Sequence, residues 1–259
     1  MEGGSRFVDA SKFYHINGNY NLSHLIDDIA VVNIGGSYRQ YNMDSQGTLY
    51  TDQAGMSAIK YSEYGAYVQV QKSFVDNRLK FTSSIRYDKN ELFEGYYTPR
   101  VALGLTLGEK RNHNIRASYQ TGYANPTSQS LYIGLVTPQG TLVGASPDNL
   151  TRFNRPRPLS AAGTQLTGET TLPITGQMAY NNAYSLSSAT AAATSFATNG
   201  DSSAAAALLT SQVTSLRTPE EVSSFEIGYR AKLGIFSIDL TYFNSTYANL
   251  TSTTLVAAP

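Results

Sequence analysis

Hydrophobic and polar residues alternate with a period of two along most of this chain. In the segment 79–88, the apolar positions share one parity: Leu79, Phe81, Ile85 and Tyr87. The polar positions share the other: Lys80, Thr82, Ser84, Arg86 and Asp88. This pattern is typical of a β-strand with one apolar and one polar face. It predicts a strand at this position.

The same alternation recurs in about eight segments, which predicts strands over about residues 11–123 and 221–247. The joins between them alternate between short and long. Short joins are predicted near 23–28, at Asp76-Asn77, at 108–112 and at 232–234, whereas 42–59 is longer and 89–97 is intermediate. This order predicts an all-β fold, an antiparallel transmembrane β-barrel with the short turns at one rim and the long loops at the other.

Hairpin symmetry provides an internal check on the predicted strand pairs. Folding the chain about Asp76-Asn77 places Val68 beside Ile85 and Gln69 beside Ser84. Folding about Lys110 places Gly104 beside Arg116 and Thr106 beside Asn114. Apolar residues then face apolar ones and polar residues face polar ones, as cross-strand pairing favours. A soluble β-sandwich has the same alternation, but the roughly 10-residue strands predicted here are longer than sandwich strands usually are.

Regular alternation stops for roughly ninety residues, over about 124–218, which is far longer than most connections. We expect a long extracellular loop that contains one or two short helices. Asp201 and Ser202 are candidate caps for a helix over 204–216, where apolar residues have helical spacing. Residues 218–221 have capping-box spacing, but strand periodicity begins at once and favours a single turn. Arg155 and Arg157 beside Phe153 are either ligand contacts or, more simply, solvated loop charges.

Composition excludes several classes of protein. The chain has 19 Tyr, 10 Phe, 21 Gly and no Trp, and 15% of its residues are charged. A mean hydropathy of −0.27 and a longest apolar run of only 204–209 argue against membrane-spanning helices. Nineteen basic and 19 acidic residues give zero net charge, which disfavours nucleic acid as a partner. The absence of Cys excludes disulfides and thiolate metal sites.

No residue pattern indicates catalysis, a metal or another cofactor. His15, His24 and His113 fall in different segments and lack the spacing of metal ligands. His113 and Ser118 do not form a recognisable part of a Ser-His-acid triad. We therefore expect a protein that is not an enzyme.

Charged residues instead collect on the parity that would face the interior of a barrel. The candidate lumen-facing residues are Arg39, Arg86, Arg100, Arg116, Glu226, Arg230 and Asp239. They would form either a charged wall that contacts a plug or a substrate, or ordinary cross-strand ion pairs such as Arg230 with Asp239. Only the set as a whole is informative.

Several segments together resemble one family. They are Tyr64-Gly65-Ala66-Tyr67-Val68-Gln69, 79–88, Thr98-Pro99-Arg100, the run 114–127 and Ser224-Phe225-Glu226-Ile227-Gly228-Tyr229-Arg230. In this order they resemble the barrel of TonB-dependent outer-membrane receptors, most of all those of Bacteroidetes-type bacteria. The resemblance implies a place in the bacterial outer membrane, contact with its lipid, and uptake of a scarce nutrient. It also implies coupling to the TonB complex through a plug domain.

Receptors of this family have a 22-stranded barrel with an N-terminal plug, and the resemblance therefore implies a partial barrel here. About eight strands are predicted, and neither a plug nor a terminal strand ending in an aromatic residue is recognised in residues 1–259. No export signal is recognised at the N-terminus either. An open piece would leave two unpaired edges, which are costly in lipid unless the piece closes into a small barrel.

The sequence leaves two functions open. The first is a barrel segment of a receptor for a siderophore-bound iron, a glycan, a peptide or a vitamin, and the ligand's identity is not encoded in any recognisable motif. The second is a surface protein that transports nothing, either an adhesin or a soluble β-sandwich binding module. Solubility of the folded chain without detergent would favour the second function.

Overall fold

The computed structural model describes residues 6–26, 29–52, 55–137, 140–159 and 161–258. Six strands come first: β1 (Lys12–Asn21), β2 (Val31–Met43), β3 (Ile59–Phe74), β4 (Leu79–Asn90), β5 (Tyr96–Leu107) and β6 (His113–Ala124). Shorter elements follow: α1 (Ser128–Tyr132), β7 (Gly134–Thr137), β8 (Gly140–Val143), α2 (Asn149–Arg152), β9 (Asn154–Pro158), α3 (Ala161–Thr167), β10 (Thr171–Thr175), α4 (Gly176–Asn181), β11 (Tyr184–Ser185), α5 (Leu186–Asn199) and α6 (Ser202–Ala206). Three strands come last: β12 (Glu220–Leu233), β13 (Phe236–Ala248) and β14 (Val256–Ala257).

The long strands form one antiparallel sheet of eight, in the order β1-β2-β3-β4-β5-β6-β12-β13. The register predicted by hairpin symmetry is confirmed, since Val68 lies opposite Ile85 and Gln69 opposite Ser84. Gly104 likewise lies opposite Arg116. The prediction of an all-β, antiparallel fold is therefore correct, and it is correct to the residue at these pairs.

Short and long joins alternate as predicted, which defines two ends of the sheet. At the short-turn end, Asp76 and Asn77 both have a positive φ, 52° and 63°. The last hairpin differs from the prediction of a turn at 232–234. Leu233 still pairs with Phe236, so the turn is Gly234-Ile235, and Gly234 has the φ of 62° that this turn requires. A 3₁₀ helix, Ser23–Ile26, occupies the first short join, whose predicted last residues, 27 and 28, lie outside the described residues.

One face of the sheet is apolar and remains uncovered. Ile34, Val68, Ile85, Leu103 and Ile227 project from this face, and between 37% and 46% of each residue is exposed. A β-sandwich would cover such residues with a second sheet, but the other sheets in the described part of the chain have only two strands each. The exposed apolar face favours a lipid environment over the sandwich alternative.

The insert between β6 and β12 is more structured than predicted. The described residues contain six helices there instead of one or two, and the longest, α5, begins at the capping side chain of Ser185 and ends at Gly200. Asp201 caps α6 as predicted. The prediction of a helix over 204–216 is wrong, because α6 ends at Ala206. Ser211 forms a β-bridge with Tyr184, and this pairing uses backbone that a longer helix would need.

The single turn predicted at 218–221 is also absent. Glu220 already pairs with Ala124, so strand β12 begins inside the predicted turn. None of the helices in the described residues is both long enough and apolar enough to cross a membrane.

Candidate functional site on the polar face

The predicted charged residues share one face of the sheet, which we call the polar face. Register places Arg39 opposite Glu63, Ser84 opposite Arg100, and Arg230 opposite Asp239. Arg86, Arg116 and Glu226 have the same parity on their strands. The structure therefore brings the predicted set onto one surface, where it forms two clusters and leaves one member apart.

The first group, the upper cluster, lies at the long-loop end of the polar face and consists of Arg39, Glu63, Arg86 and Asp88. Glu63 lies 3.5 Å from the Arg39 guanidinium and accepts hydrogen bonds from Tyr41 Oη at 3.2 Å and Asn90 Nδ2 at 2.7 Å. Asn125 Nδ2 donates a fourth contact at 3.0 Å. A carboxylate with this many donors is fixed in place rather than free to bind a ligand.

Arg86 and Asp88 form the second ion pair of the upper cluster. Arg86 Nε and Nη2 donate to the two oxygens of Asp88 at 2.6 and 2.5 Å, and Nη2 also donates to Ser37 Oγ at 3.1 Å. The pair lies over Gly65, where a Cβ would stand 2.6 Å from Arg86 Nη2. The absence of a side chain at Gly65 leaves room for the Arg86–Asp88 pair to lie close to the backbone of β3.

The second group, the lower cluster, lies at the short-turn end and consists of Arg116, Glu226, Arg230 and Asp239. Arg116 contacts Glu226 at 3.1 Å, Asp239 at 3.4 Å and Thr241 Oγ1 at 2.7 Å. Arg230 Nε donates to Asp239 Oδ2 at 2.9 Å, so the cross-strand pair proposed from the sequence is present. These residues satisfy one another across three strands.

Arg100 stands apart from both clusters. It is exposed on the polar face, and its side chain makes no hydrogen bond or ion pair with any residue in the described ranges. Sequence reasoning grouped Arg100 with the paired arginines because parity gives the face of a residue but not its partners. For the same reason it did not single out Glu63 and Asp88, although both have the polar-face parity.

A cavity of about 700 Å³ opens along the upper part of the polar face. Its wall comes from β1 to β6 and includes His15, Asn17, Tyr67, Thr98 and Tyr123. Residue parity alone would place Tyr123 on the apolar face with Tyr119. The register between β5 and β6 stops at Arg100 and Gln120, and beyond it Tyr123 stacks on Tyr96, with ring centroids 4.9 Å apart. Beyond the end of the β5–β6 pairing, this ring contributes to the cavity wall.

The three histidines do not form a metal site. His15 lines the cavity, Tyr20 Oη lies 3.2 Å from His24 Nε2, and Tyr229 Oη lies 2.8 Å from His113 Nδ1. The described residues contain no group of His, Asp and Glu that could hold a metal ion.

The long joins pack against the polar face at the long-loop end. Tyr41 and Tyr61 stack with centroids 4.7 Å apart, and the Tyr61 hydroxyl shares a 2.6 Å hydrogen bond with Ser128 Oγ at the start of α1. Tyr132 and Leu131 complete a buried cluster with Tyr61. Burial raises the pKa of the Tyr132 phenol. The insert is thus attached to the sheet by an aromatic core.

Buried polar contacts join the insert to the β2–β3 loop. Asn149 is fully buried, and its Nδ2 donates to the carbonyls of Leu131 at 2.9 Å and Gly144 at 3.0 Å. Arg152 Nη1 donates to Ser57 O at 2.7 Å. Two long joins, distant in sequence, therefore form one folded unit.

The Arg-rich stretch of the insert belongs to this unit. Phe153 is 1% exposed, and Arg155 Nη2 donates to Gly47 O at 3.0 Å. Arg157 Nη2 donates to Thr141 Oγ1 at 3.1 Å. The expectation that these arginines are solvated loop charges is therefore wrong, since both bind groups of the protein itself.

A family comparison decides what this sheet belongs to. The model of the family described as TonB-dependent receptor-like, β-barrel matches residues 2–259. The chain belongs to this family. The resemblance found in the sequence is confirmed at the level of the family. The predicted fold class, an antiparallel β-barrel, is confirmed as well. The family is one of receptors and transporters, and its members are outer-membrane proteins, as is the receptor barrel described here.

Solved structures show the same fold at low sequence identity. The siderophore receptor PirA from Pseudomonas aeruginosa aligns with a TM-score of 0.51 and 13% identity over 92% of this chain and 33% of PirA. A mutant of the ferric enterobactin receptor PfeA from Pseudomonas aeruginosa aligns with a TM-score of 0.52 and 12% identity over 92% of this chain and 27% of that one. The receptor barrel thus spans a third or less of either relative. No curated protein matches it.

Proposed function

We propose that this chain supplies part of the wall of an outer-membrane receptor that imports a scarce nutrient with energy from the TonB complex. A single observation carries the proposal: one continuous sheet has an uncovered apolar face and, on its other side, a polar face with ion pairs and a cavity. An apolar outer face and a polar interior are what a barrel in the outer membrane requires.

In this proposal the polar face lines the interior, and the candidate residues face the lumen. The long-loop end is extracellular, and the folded unit made by the insert and the β2–β3 loop is the part that meets the nutrient first. Coupling to TonB would run through a plug domain outside the described residues, and Bacteroidetes-type ancestry stays a prediction. The ligand is an iron chelate, a glycan, a peptide or a vitamin. Catalysis is not part of this role.

Deletion of the gene in its native host tests the proposal. Growth is measured on limiting supplies of iron chelates, glycans, peptides and vitamins, with the gene restored in its native context as a control. We expect a growth defect on one nutrient class, and the same defect in a strain that lacks TonB. Normal growth on every class, with the protein still in the outer membrane, would favour a surface protein that transports nothing.

A further inference from the structure

Every acidic side chain of the two clusters already has a cationic partner. Glu63 pairs with Arg39 and Asp88 with Arg86 in the upper cluster. Glu226 and Asp239 both pair with Arg116 in the lower cluster, and Asp239 also binds Arg230. The negative charges of these four acids are therefore already neutralised within the clusters.

Two cations on the central strands have no such partner. Lys80 on β4 and Arg100 on β5 are both exposed on the polar face. Neither side chain contacts an acidic, carbonyl or aromatic group anywhere in 6–26, 29–52, 55–137, 140–159 or 161–258. Uncompensated charge on a wall that is to be enclosed is costly, because the charge loses water without gaining a counter-ion.

The register places these cations around a shallow floor of small side chains. Thr82, Ala102 and Ser118 lie side by side on β4, β5 and β6. Arg100 stands in the row on one side of this floor, between Ser84 and Gln120.

Lys80 stands in the row on the other side of the floor, with Gly104 between it and Arg116. The two rows are four residues apart along β5, which is about 13 Å at the usual rise of a strand. Long, flexible basic side chains can lean over the floor from both rows, because no bulky residue stands between them.

We propose that Lys80 and Arg100 form a binding subsite for the carboxylate groups of a small solute that passes along the polar face. The inference rests on the proposed function, since it takes the polar face as the interior wall. Arginine offers a planar pair of donors that matches a carboxylate, and lysine adds a compact charge. Arg116 already binds Glu226 and Asp239, so it borders the subsite without supplying free charge.

The surroundings favour a small solute over a protein segment. On β3 to β6 the three rows contain, besides the cations, only glutamine, serine, threonine, alanine and glycine. On β12 the middle row continues with Glu226 beside Ser118, and Arg116 already neutralises this carboxylate. Protein-binding surfaces depend on aromatic and large apolar anchors in pockets, and this patch has neither. A hydrated anion, in contrast, needs only donors and an open floor.

Citrate titration of the full-length chain, purified in detergent micelles, tests the subsite by isothermal calorimetry. We expect saturable citrate binding that weakens with added salt. Arg100→Gln and Lys80→Gln should each weaken it about tenfold, as the loss of a charge-assisted contact predicts, and the double variant should abolish it. Arg100→Lys should recover part of the affinity, which separates lost charge from lost folding.

Lys232→Gln is the matched control, because Lys232 lies on the same face beside the last short turn, away from the floor. It should bind citrate as the unchanged chain does. The proposal is overturned if the unchanged chain binds no citrate, or if Lys232→Gln weakens binding as much as Lys80→Gln. It is also overturned if a penta-glutamate peptide binds and citrate does not. Nutrient growth is measured separately, so a failed titration leaves the uptake proposal standing.

Discussion

Thr51 Oγ1 donates a 2.7 Å hydrogen bond to Asn149 Oδ1, and the two residues are 98 positions apart in sequence. Both are fully buried. The bond joins the β2–β3 loop to the insert, so the loops of the long-loop end behave as one folded unit. Asn149 also binds two carbonyls, which leaves its amide fully used.

Asn149→Ala should therefore loosen the insert. The change leaves the carbonyl of Gly144 without a donor and removes the 2.7 Å acceptor of the Thr51 hydroxyl, and a buried group left unpaired costs about 1 to 3 kcal/mol. The carbonyl of Leu131 keeps its bond from Ser146 N. Hydrogen exchange over 144–153 should rise, while exchange in β3 and β4 stays unchanged. Asn199→Ala, at the exposed end of α5, is the control and should change neither. Unchanged exchange in Asn149→Ala would mean that the insert is held by other contacts.

Substitution by lysine should separate the two faces of the sheet. Leu103→Lys and Ile238→Lys place a charge on the apolar face, and near the middle of a bilayer this costs about 2 to 4 kcal/mol. Gln69→Lys is the control on the polar face. We expect the first two to lower the fraction of protein that assembles in the outer membrane, measured by heat-modifiable migration in gels. Equal assembly of all three variants would contradict the membrane prediction.

Gly65→Ala should disturb the Arg86–Asp88 pair. The added methyl group would meet Asp88 Oδ1 and stand 2.6 Å from Arg86 Nη2, so the ends of both side chains must move apart. Because the pair is partly exposed and its side chains are flexible, its loss should cost up to about 1 kcal/mol. Urea unfolding in micelles measures the loss. Gly104→Ala is the control within the same sheet, since its methyl group would meet Lys80 Cβ at 3.9 Å, an ordinary contact. If the two variants lose the same stability, the close approach at Gly65 has no special role.

The insert should lose stability at high pH through Tyr180. Burial raises the pKa of this phenol to about 12, and its hydroxyl donates to Val143 O at 3.1 Å. In the unfolded chain the phenol ionises near its usual pKa of about 10. The stabilisation is therefore complete below pH 10 and is lost as the pH rises towards 12.

Carbon-13 NMR of tyrosine-labelled protein measures this titration. The ring signal that disappears in Tyr180→Phe should titrate near pH 12, and the insert of that variant should resist alkali better. Tyr14, exposed on β1, serves as the matched control through Tyr14→Phe. A Tyr180 signal that titrates with the exposed tyrosines would contradict the prediction.

The sequence alone determined the strands, their pairing and the division into two faces. Period-two alternation is a local property, because successive side chains of a strand point to opposite faces. The turn at Asp76-Asn77 then fixed the register that places Val68 opposite Ile85, and the short turn after β12 brought Arg230 to Asp239. Each of these pairs lies within one hairpin, so few residues decide it.

Only the tertiary structure decided the rest. The helix predicted over 204–216 gives way to pairing between Ser211 and Tyr184, and Tyr123 turns to the polar face where β5 and β6 separate. The alternation of the strands assigned Arg86 and Arg100 to one face. Only the packed sheet shows that Arg86 forms an ion pair with Asp88 and that the Arg100 side chain has no partner in the described residues. Contacts between residues far apart in sequence have no local pattern, and the bond from Thr51 to Asn149 forms only when the loops pack together.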